Sequence, residues 1–443
     1  MTSALGLPFA TEARARRIGA TLEEPQWLLD ERRAAIRLFS ELPLEPNPLF
    51  TLYLDLRTAK LGDVQPYGEV GDHPEAASAA LPEGASALLE VRADRVVARA
   101  LSPAARDAGV VVDTWRNVLR SRPELIRRAI EGGVTVAADD PFGQLSRALS
   151  TVGAFVHVPD GVDLDGPIVF RWSGVEPGRA LLTRTLVSLG REAHASVLEE
   201  QVGGTAGAAQ SLWTGTSEVI LGQGATLDAA GEQNFGADTV SFVNRHATLG
   251  QEATIRWALA SLGGQLIRSR IDNRLEGRGS SVRQVEIGFG AGNQLFDLTS
   301  YTRHIGADTT SDLLSKGVFL DRSRGFIKGL IEIQRTARGS DSFLGEFAML
   351  LTKKSRSVTI PSLEIDQPDV RRAMHSSSVG PIDEAQVFYL MSRGIPRWLA
   401  RKYIVLAFLE PVVARIPLGE AQDRLRELLD AKWQPEGQEA AAA

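Results

Sequence analysis

Three near-identical segments, LGREA (189–193), LGQGA (221–225) and LGQEA (249–253), follow one another along the chain. They begin at residues 189, 221 and 249, and a period of this length is typical of solenoids and other repeat arrays rather than of a single globular core. Between them lie short apolar runs with alternation, such as SEVIL (217–221) and TIRWAL (254–259). Such runs favour strands over helices.

Each repeat combines a glycine with a small residue. We expect the glycine, such as Gly190, to turn the chain at positive φ, and the small residue that follows, such as Ala193, to leave room for the next coil. Looser copies at 275–280 and 305–309 continue the pattern. One coil alone cannot bury its inner apolar residues, so coils stacked about 4.8 Å apart must supply the core. The repeats therefore predict a mainly β fold, a parallel β-helix (solenoid). An antiparallel sandwich whose hairpins share an LGxxA turn is the alternative.

Composition limits the classes of function. The chain has 443 residues, enough for two or three structural units. Its formal charge of -6, from 49 Lys and Arg against 55 Asp and Glu, gives no large basic excess, so we expect no nucleic-acid partner. There is no apolar run that could span a bilayer, and residues 1–17 lack the apolar block of a secretion signal. We expect a cytoplasmic protein with no membrane partner.

The chain contains no cysteine, which excludes disulfides, thiolate nucleophiles and cysteinyl ligation of a metal or cluster by this chain. Its histidines show no local spacing typical of metal ligands, although a site could still assemble in space. The six are His73, His157, His194, His246, His304 and His375.

Near the N-terminus, residues 21–39 have the pattern of an amphipathic helix. Thr21 and Glu24 match a capping box at its start. Strands are predicted at 87–91 and 96–100.

Towards the other end, helices are predicted at 383–392, 397–413 and 420–432. The predicted domains are an N-terminal, mostly helical domain (1–150), a parallel β-helix core (151–367), a C-terminal helical domain (368–433) and a disordered tail (434–443).

Two side chains are candidates for chemistry. His375 lies among small polar residues, where an imidazole could bind a metal or carry protons, or could simply be a surface or structural histidine. Glu346 interrupts the apolar run 343–351, so its carboxylate points either to solvent or to a function.

Several stretches resemble the SufB/SufD family of iron–sulfur cluster assembly proteins. The segment DEAQVFYLMSRGI (383–395) resembles the C-terminal signature of that family. PSLEI (361–365), FVHVPDGV (155–162) and EPQWL (24–28) are similar to its other motifs. The resemblance implies a right-handed parallel β-helix core, flanked by an N-terminal α/β region and a C-terminal helical domain.

The resemblance also implies partners. Members of this family act as scaffolds in a complex with the ABC-type ATPase SufC, which docks on the C-terminal helices, while SufB and SufD pair through their solenoids. No cofactor would be bound tightly by this chain alone, but a transient iron–sulfur cluster could form at the SufB interface. The residues implied in SufC docking are Asp383, Gln386, Phe388, Tyr389, Arg393, Gly394 and Ile395.

The subtype most resembled is SufD. Counting back from Pro361, the position of the SufB-type cysteine falls on Glu346, and HSSSVG (375–380) is similar to the H-G-A-T-x-G of SufD-type chains. Glu346 and His375 are therefore the cluster or metal candidates. Because the EPQWL motif is SufB-like, the alternative is an undifferentiated SufB-like scaffold that forms a homodimer.

An enzyme is the second class of hypothesis, because β-helices often host polysaccharide-active enzymes. Arg303, Asp308 and Asp312 could line a substrate groove, but no paired-carboxylate motif singles them out. We therefore predict a protein that is not an enzyme.

Overall fold

A computed structural model describes residues 5–67, 77–132, 135–204, 207, 209–417 and 419–433. The predicted tail, 434–443, and His73 lie outside these residues.

Strands dominate the described chain. The strands of the N-terminal region are β1 (Gln65–Pro66), β2 (Ala77–Ser78), β3 (Ala87–Arg92), β4 (Arg95–Leu101) and β5 (Val111–Thr114). The strands of the repeat region are β6 (Val152–Val158), β7 (Ile168–Ser173), β8 (Arg179–Leu189), β9 (His194–Gly203), β10 (Ser211–Leu221), β11 (Thr226–Phe235), β12 (Thr239–Leu249), β13 (Thr254–Ser261), β14 (Leu266–Leu275), β15 (Ser281–Gly290), β16 (Leu295–His304), β17 (Thr310–Phe319), β18 (Arg324–Ile333), β19 (Asp341–Leu350), β20 (Arg356–Ile365) and β21 (Arg372–Pro381).

The chain alternates between two sheets, so that each strand from β6 onward pairs with the strand two places further along. Sheet A runs in the order β20-β18-β16-β14-β12-β10-β8-β6-β5, and sheet B in the order β2-β4-β3-β7-β9-β11-β13-β15-β17-β19-β21. Pairing from β6 onward is parallel, with Leu221 opposite Leu249, for example. The antiparallel pairs, β3–β4 and β5–β6, lie at the N-terminal end. The predicted parallel solenoid is confirmed, and the antiparallel sandwich is wrong.

The repeated glycine has a different structural role from the predicted turn at positive φ. The positive φ lies two residues later, at Glu192 (55°), Gly224 (68°) and Glu252 (57°). A Cβ on Gly222 would lie 2.9 Å from the carbonyl carbon of Gly190 in the previous coil. The glycine is therefore needed because adjacent coils approach closely, and the turn itself is made by the residue before the small one.

The small residues form a buried column at this corner of the solenoid. Amides that follow them donate to the preceding coil, as in the hydrogen bond from Thr226 N to Ala193 O (2.9 Å). The fully buried members are Ala193, Ala225, Ala253, Ser280, Thr309 and Ser340.

Helices cover the outer faces of both sheets. Apolar residues of α1, α2 and α6 pack on sheet A, and those of α8 and α9 pack on sheet B. The helices are α1 (Glu12–Thr21), α2 (Gln26–Glu41), α3 (Pro103–Asp107), α4 (Trp115–Ser121), α5 (Pro123–Glu131), α6 (Pro141–Leu149), α7 (Glu384–Ser392), α8 (Arg397–Val413) and α9 (Gly419–Lys432), with a short 3-10 turn at Thr51–Tyr53.

The helix predicted at 21–39 is in fact two helices. Thr21 is the last residue of α1, and α2 begins after Pro25 with no side-chain cap. Glu24 does not cap a helix but accepts two hydrogen bonds from Arg32, at 2.6 and 2.7 Å. Because Arg32 is buried, it needs a buried counter-charge, and this takes Glu24 out of the predicted capping box.

The solenoid extends beyond residue 367, where we predicted the helical domain to begin. Residues Arg372–Pro381 form β21, which pairs with β19, so His375 lies on a strand. The predicted C-terminal helices are confirmed to within one residue. The N-terminal region also contains five strands as well as helices, including those predicted at 87–91 and 96–100, and is thus α/β rather than mostly helical.

Candidate functional site

The C-terminal end of the solenoid is uncovered. Strand β20 pairs with β18 on one side, and β21 pairs with β19; in the described structure neither has a second neighbour in its sheet. Ile365, Met374 and Val379 on these strands are exposed. We call this surface, formed by β20 and β21, the open end. Unpaired backbone groups on such strands can extend a sheet across an interface.

Alternation along the strands decides where the two candidate ligands point. Leu344 and Glu346 are fully buried in the solenoid. Leu344 is in register with His375, and Glu346 with Ser377. Residues in register on neighbouring strands share a face. His375 therefore lies on the inward-facing side of the last coil and is exposed because no further coil covers it.

Glu346 lies one coil deeper than His375. Its Oε2 accepts a hydrogen bond from Ile360 N at 2.8 Å, whereas its Oε1 has no hydrogen-bond partner among the described residues. Burial raises the pKa of Glu346 to about 8, although the hydrogen bond from Ile360 works in the opposite direction. Of the two positions considered for this carboxylate, the solvent-facing one is wrong.

The structure does not join His375 and Glu346 into a complete ligand set. Within the described part of the chain, no group of three or more His, Asp or Glu side chains could hold a metal ion. A cluster at the open end would therefore need further ligands from a partner.

The C-terminal helices carry a second exposed surface. On α7, the exposed fraction is 71% for Phe388 and 57% for Tyr389; on α8, it is 45% for Trp398 and 48% for Tyr403. Large exposed aromatic side chains are typical of protein interfaces. We call these four residues the aromatic surface.

The seven residues implied in docking fall into two groups: exposed surface residues, and residues that cap a helix or shape the chain. Gln386 and Arg393 are exposed beside the aromatic surface, and the Arg393 guanidinium lies 5.0 Å from the centre of the Tyr389 ring. Asp383, by contrast, caps α7 by accepting from Ala385 N at 2.8 Å. Gln386 and Arg393 are therefore surface residues, whereas Asp383 has a structural role as the N-cap of α7.

The last two residues of the signature shape the chain. Gly394 turns it at a φ of 85° between α7 and α8, and Ile395 is half-buried against the apolar core under the helices. The sequence analysis placed docking on the helix that carries Trp398 and Tyr403 but did not single out these two residues. The signal was present, since α8 carries more large apolar residues than one buried face of a helix can hold.

Helix α9 is held to the solenoid by partly buried polar contacts. Arg424 on α9 donates to Glu200 and Glu232 on sheet B. Lys432, at the end of α9, donates to Phe289 O and to Gln294 Oε1. Burial lowers the pKa of Lys432 to about 7.

The residues considered for an enzyme do not share a groove. Arg303 lies on the outer face of sheet A, where it pairs with Glu332 at 2.8 Å. Asp312 lies on the other sheet, on β17, and Asp308 is held at a corner by Arg278 and Arg371.

The sequence matches a family of known proteins over the region that carries both surfaces. A family model described as "SUF system FeS cluster assembly, SufBD core domain" matches residues 170–408, which is more than half of the chain. The chain belongs to the SufBD family. The family resemblance of the sequence motifs is confirmed, and with it the assignment to iron–sulfur cluster assembly.

Individual SufBD relatives match over almost the whole chain. An iron–sulfur cluster assembly SufBD family protein of Staphylococcus epidermidis is 27% identical over 440 residues, covering 94% of this chain and 91% of the relative. The iron–sulfur cluster assembly protein SufD of Bacillus subtilis is 27% identical over 418 residues, covering 93% and 95%. In the described part of the chain, no helix has the length and apolar character needed to cross a membrane.

Proposed function

We propose that this SufBD-family chain is a SufD-like scaffold subunit with no catalytic activity of its own, in the cytoplasm. It binds an ATPase of the SufC type through the aromatic surface of α7 and α8. Through the open end it pairs with a SufB-type paralogue or with a second copy. The observation that carries this proposal is the exposure of Phe388 and its aromatic neighbours on helices that are otherwise anchored to the solenoid.

The aromatic surface has the composition of a docking site. Tyr and Trp are enriched among the residues that contribute most to binding at interfaces. Arg393 and Gln386 surround Tyr389 with donors that can satisfy polar groups of a partner.

The anchoring of α9 supports a mechanical role for the solenoid. Arg424 and Lys432 hold α9 to strands of sheet B, the sheet that ends in β21. Movement of a docked ATPase would therefore reach the open end through packed, hydrogen-bonded elements rather than through a loose linker.

The open end is the proposed place of assembly, with the cluster as cargo. This chain has no thiolate, so sulfur ligands would come from the partner. What the chain can offer there is the imidazole of His375 and, one coil deeper, the carboxyl group of Glu346. In the competing case of an undifferentiated SufB-like scaffold, the same end would pair with a second copy.

The docking proposal is tested by binding of the purified chain to its SufC-type ATPase, measured by calorimetry and by the mass of the complex. Substituting Phe388→Ala together with Tyr389→Ala should weaken binding at least about 30-fold, as expected for interface hot spots. The matched control is Leu52→Ala, since Leu52 is also an exposed apolar residue (88%) but lies on the N-terminal region. Equal binding by the double variant and the control would refute docking at α7 and α8.

A second test concerns His375 at the open end. In a reconstituted complex, His375→Ala should lower cluster yield, measured by iron and sulfide content, without changing ATPase binding. Unchanged cluster yield would remove the ligand role of His375 and leave the docking proposal untouched.

A further inference from the structure

Two successive loops on one corner of the solenoid carry cations that the chain does not neutralise. The loops, 320–323 and 351–355, each join a strand of sheet B to the next strand of sheet A. Arg322 lies on the first loop, and Lys353 and Lys354 lie on the second; all three are exposed. Their side chains form no ion pair or hydrogen bond with any other residue in the described ranges. We call these three residues the basic ridge.

The two loops lie directly against each other. Thr352 Oγ1 donates a hydrogen bond to Asp321 O at 2.8 Å, which holds the second loop beside the first. Asp321 is the single acid in the two loops, and its Oδ2 accepts a hydrogen bond from Gly292 N at 2.8 Å instead of pairing with a cation. Like charges on adjacent coils, about 4.8 Å apart, repel each other. The basic ridge therefore presents a positive potential that this corner does not offset.

The opposite corner, where sheet A leads into sheet B, treats its charges differently. Its loops form ion pairs with the neighbouring loop at 2.6 to 3.0 Å: Asp160–Arg191, Arg278–Asp308 and Arg338–Asp369. Stacked loops of this solenoid thus neutralise their charges where the sequence supplies both signs. The basic ridge has one sign only, so it attracts counter-charges from outside the chain.

The shape of the ridge indicates the kind of partner. The two loops turn the chain around a corner of the solenoid, so the three cations lie on a convex surface. Small molecules are bound in concave sites, where most of their surface is buried. A convex row of cations can instead face the acidic surface of another protein, because charges at the margin of an interface need not be enclosed.

The basic ridge adjoins the aromatic surface. Arg401 on α8 donates to Leu351 O at 3.2 Å, which places this helix against the loop that carries Lys353 and Lys354. Trp398 lies three positions before Arg401, and residues three apart share one side of a helix. Trp398 is therefore on the side of α8 that is nearest to the ridge. A protein docked on the aromatic surface would extend over these cations.

We propose that the basic ridge steers an acidic surface of the docking ATPase on to the chain. Its three cations attract the partner before contact, and the aromatic side chains of α7 and α8 hold it afterwards. The inference rests on the proposed function in one respect, namely that an ATPase of the SufC type docks here. Charges at the margin of an interface change the association rate, whereas buried contacts change the dissociation rate. The two surfaces should thus have different kinetic effects.

The test measures association and dissociation rate constants of the full chain with its SufC-type ATPase by stopped-flow fluorescence at several salt concentrations. Wild type should associate more slowly as salt rises. Arg322→Gln/Lys353→Gln/Lys354→Gln should associate at least about tenfold more slowly at low salt and approach the wild-type rate at high salt. Its dissociation rate should stay within about twofold of wild type.

The matched control is Arg120→Gln/Arg122→Gln/Arg128→Gln. It also removes three exposed cations that form no ion pair within the described chain, but from the α4–α5 region. Both triple variants change net charge equally and replace only exposed side chains, so circular dichroism should report an unchanged fold. The control should associate as wild type does. Equal slowing in both variants would show that net charge sets the rate, and would overturn the inference.

The variant Phe388→Ala/Tyr389→Ala separates this inference from the docking proposal. It should dissociate faster and keep the salt dependence of association. If it does so while the ridge variant associates as wild type does, docking at α7 and α8 stands and steering by the ridge is wrong. If it dissociates as wild type does while the ridge variant associates slowly, steering stands and the docking site is wrong. If the ridge variant slows association of a SufB-type paralogue and not of the ATPase, the paralogue is the acidic partner and the inference is overturned.

Discussion

Sheet A bears charged side chains on its outer face. Those on its middle strands are buried and paired, whereas those on its last strand are exposed and unpaired within the described chain. Arg268 on β14 and Lys328 on β18 are fully buried, and both approach Glu45 Oε2, at 3.2 and 3.4 Å. On β20, Arg356 and Glu364 are exposed and have no partner within the described chain. A charge that the chain neutralises itself belongs to the fold, whereas one left without a counter-charge on an edge is available to another molecule.

The middle strands depend on a segment far away in sequence. Glu45 lies between α2 and the 3-10 turn, and it reaches across sheet A to both cations. Lys328 also contacts Asp297, at 2.9 Å, and the Arg268 guanidinium lies 4.8 Å from the centre of the Phe142 ring. Arg268 Nε and Nη1 have no hydrogen-bond partner among the described residues. Glu45 is therefore the direct counter-charge of Arg268.

The largest expected effect comes from removing that counter-charge. Glu45→Ala leaves Arg268 as a buried cation without an ion pair, which should lower the free energy of unfolding by about 3 to 5 kcal/mol. The measurement is urea unfolding followed by circular dichroism. Glu41→Ala is the control, since Glu41 is an exposed carboxylate on the same segment. A loss no greater than that of the control would show that the buried network does not hold the N-terminal segment to sheet A.

An intermediate effect is expected inside the solenoid. Glu286 on β15 is fully buried; Ser269 donates to its Oε1 at 2.6 Å, and its Oε2 has no partner among the described residues. Burial raises the pKa of Glu286 to about 7, a rise that the Ser269 hydrogen bond and Arg245 only partly offset. In the folded protein this carboxyl thus holds its proton at pH values at which the unfolded chain has lost it.

The sign of the pH dependence follows from this difference. Between the unfolded pKa near 4.5 and the folded pKa near 7 the native state binds more protons at Glu286, so the contribution of this carboxyl to stability falls as pH rises through this window and is lost above it. Glu286→Gln should remove this dependence, by an amount on the order of 2 kcal/mol between pH 5 and pH 8. Urea unfolding at both pH values measures it. Glu276→Gln, an exposed carboxylate, should leave the slope as in wild type; an equal slope in Glu286→Gln would argue against a protonated Glu286.

These contacts mark the limit of what the sequence could predict. The repeats predicted the solenoid because the LGxxA period and the alternating runs are local signals. The C-terminal helices were predicted because Gly394 marks the end of one helix and Pro396 the start of the next. The boundary at 367 failed because β21 consists mainly of small polar residues, whose strand character comes from pairing with β19 rather than from their own propensity.

Long-range ion pairs were beyond local reasoning. Nothing in the pattern around Glu24 indicates that it will pair with Arg32 instead of capping a helix. Nothing in the sequence near Glu45 indicates that it will pair with Arg268. The same holds for the candidate site. The signature at 383–395 could be quoted from the sequence, but it could not separate exposed Phe388 from half-buried Ile395. That division depends on how α7 and the link to α8 pack on the apolar core beneath them.

The smallest expected effect concerns the last strand and completes the comparison within sheet A. Arg356→Ala or Glu364→Ala should change the free energy of unfolding by no more than about 0.5 kcal/mol, because an exposed charge without a partner adds little to the fold. The measurement is urea unfolding at a protein concentration at which light scattering reports a monomer, so that pairing does not contribute. A loss approaching that of Glu45→Ala would mean that the charges of β20 are structural, like those of the middle strands. A negligible loss, together with weakened dimerisation at higher concentration, would assign them to the interface alone.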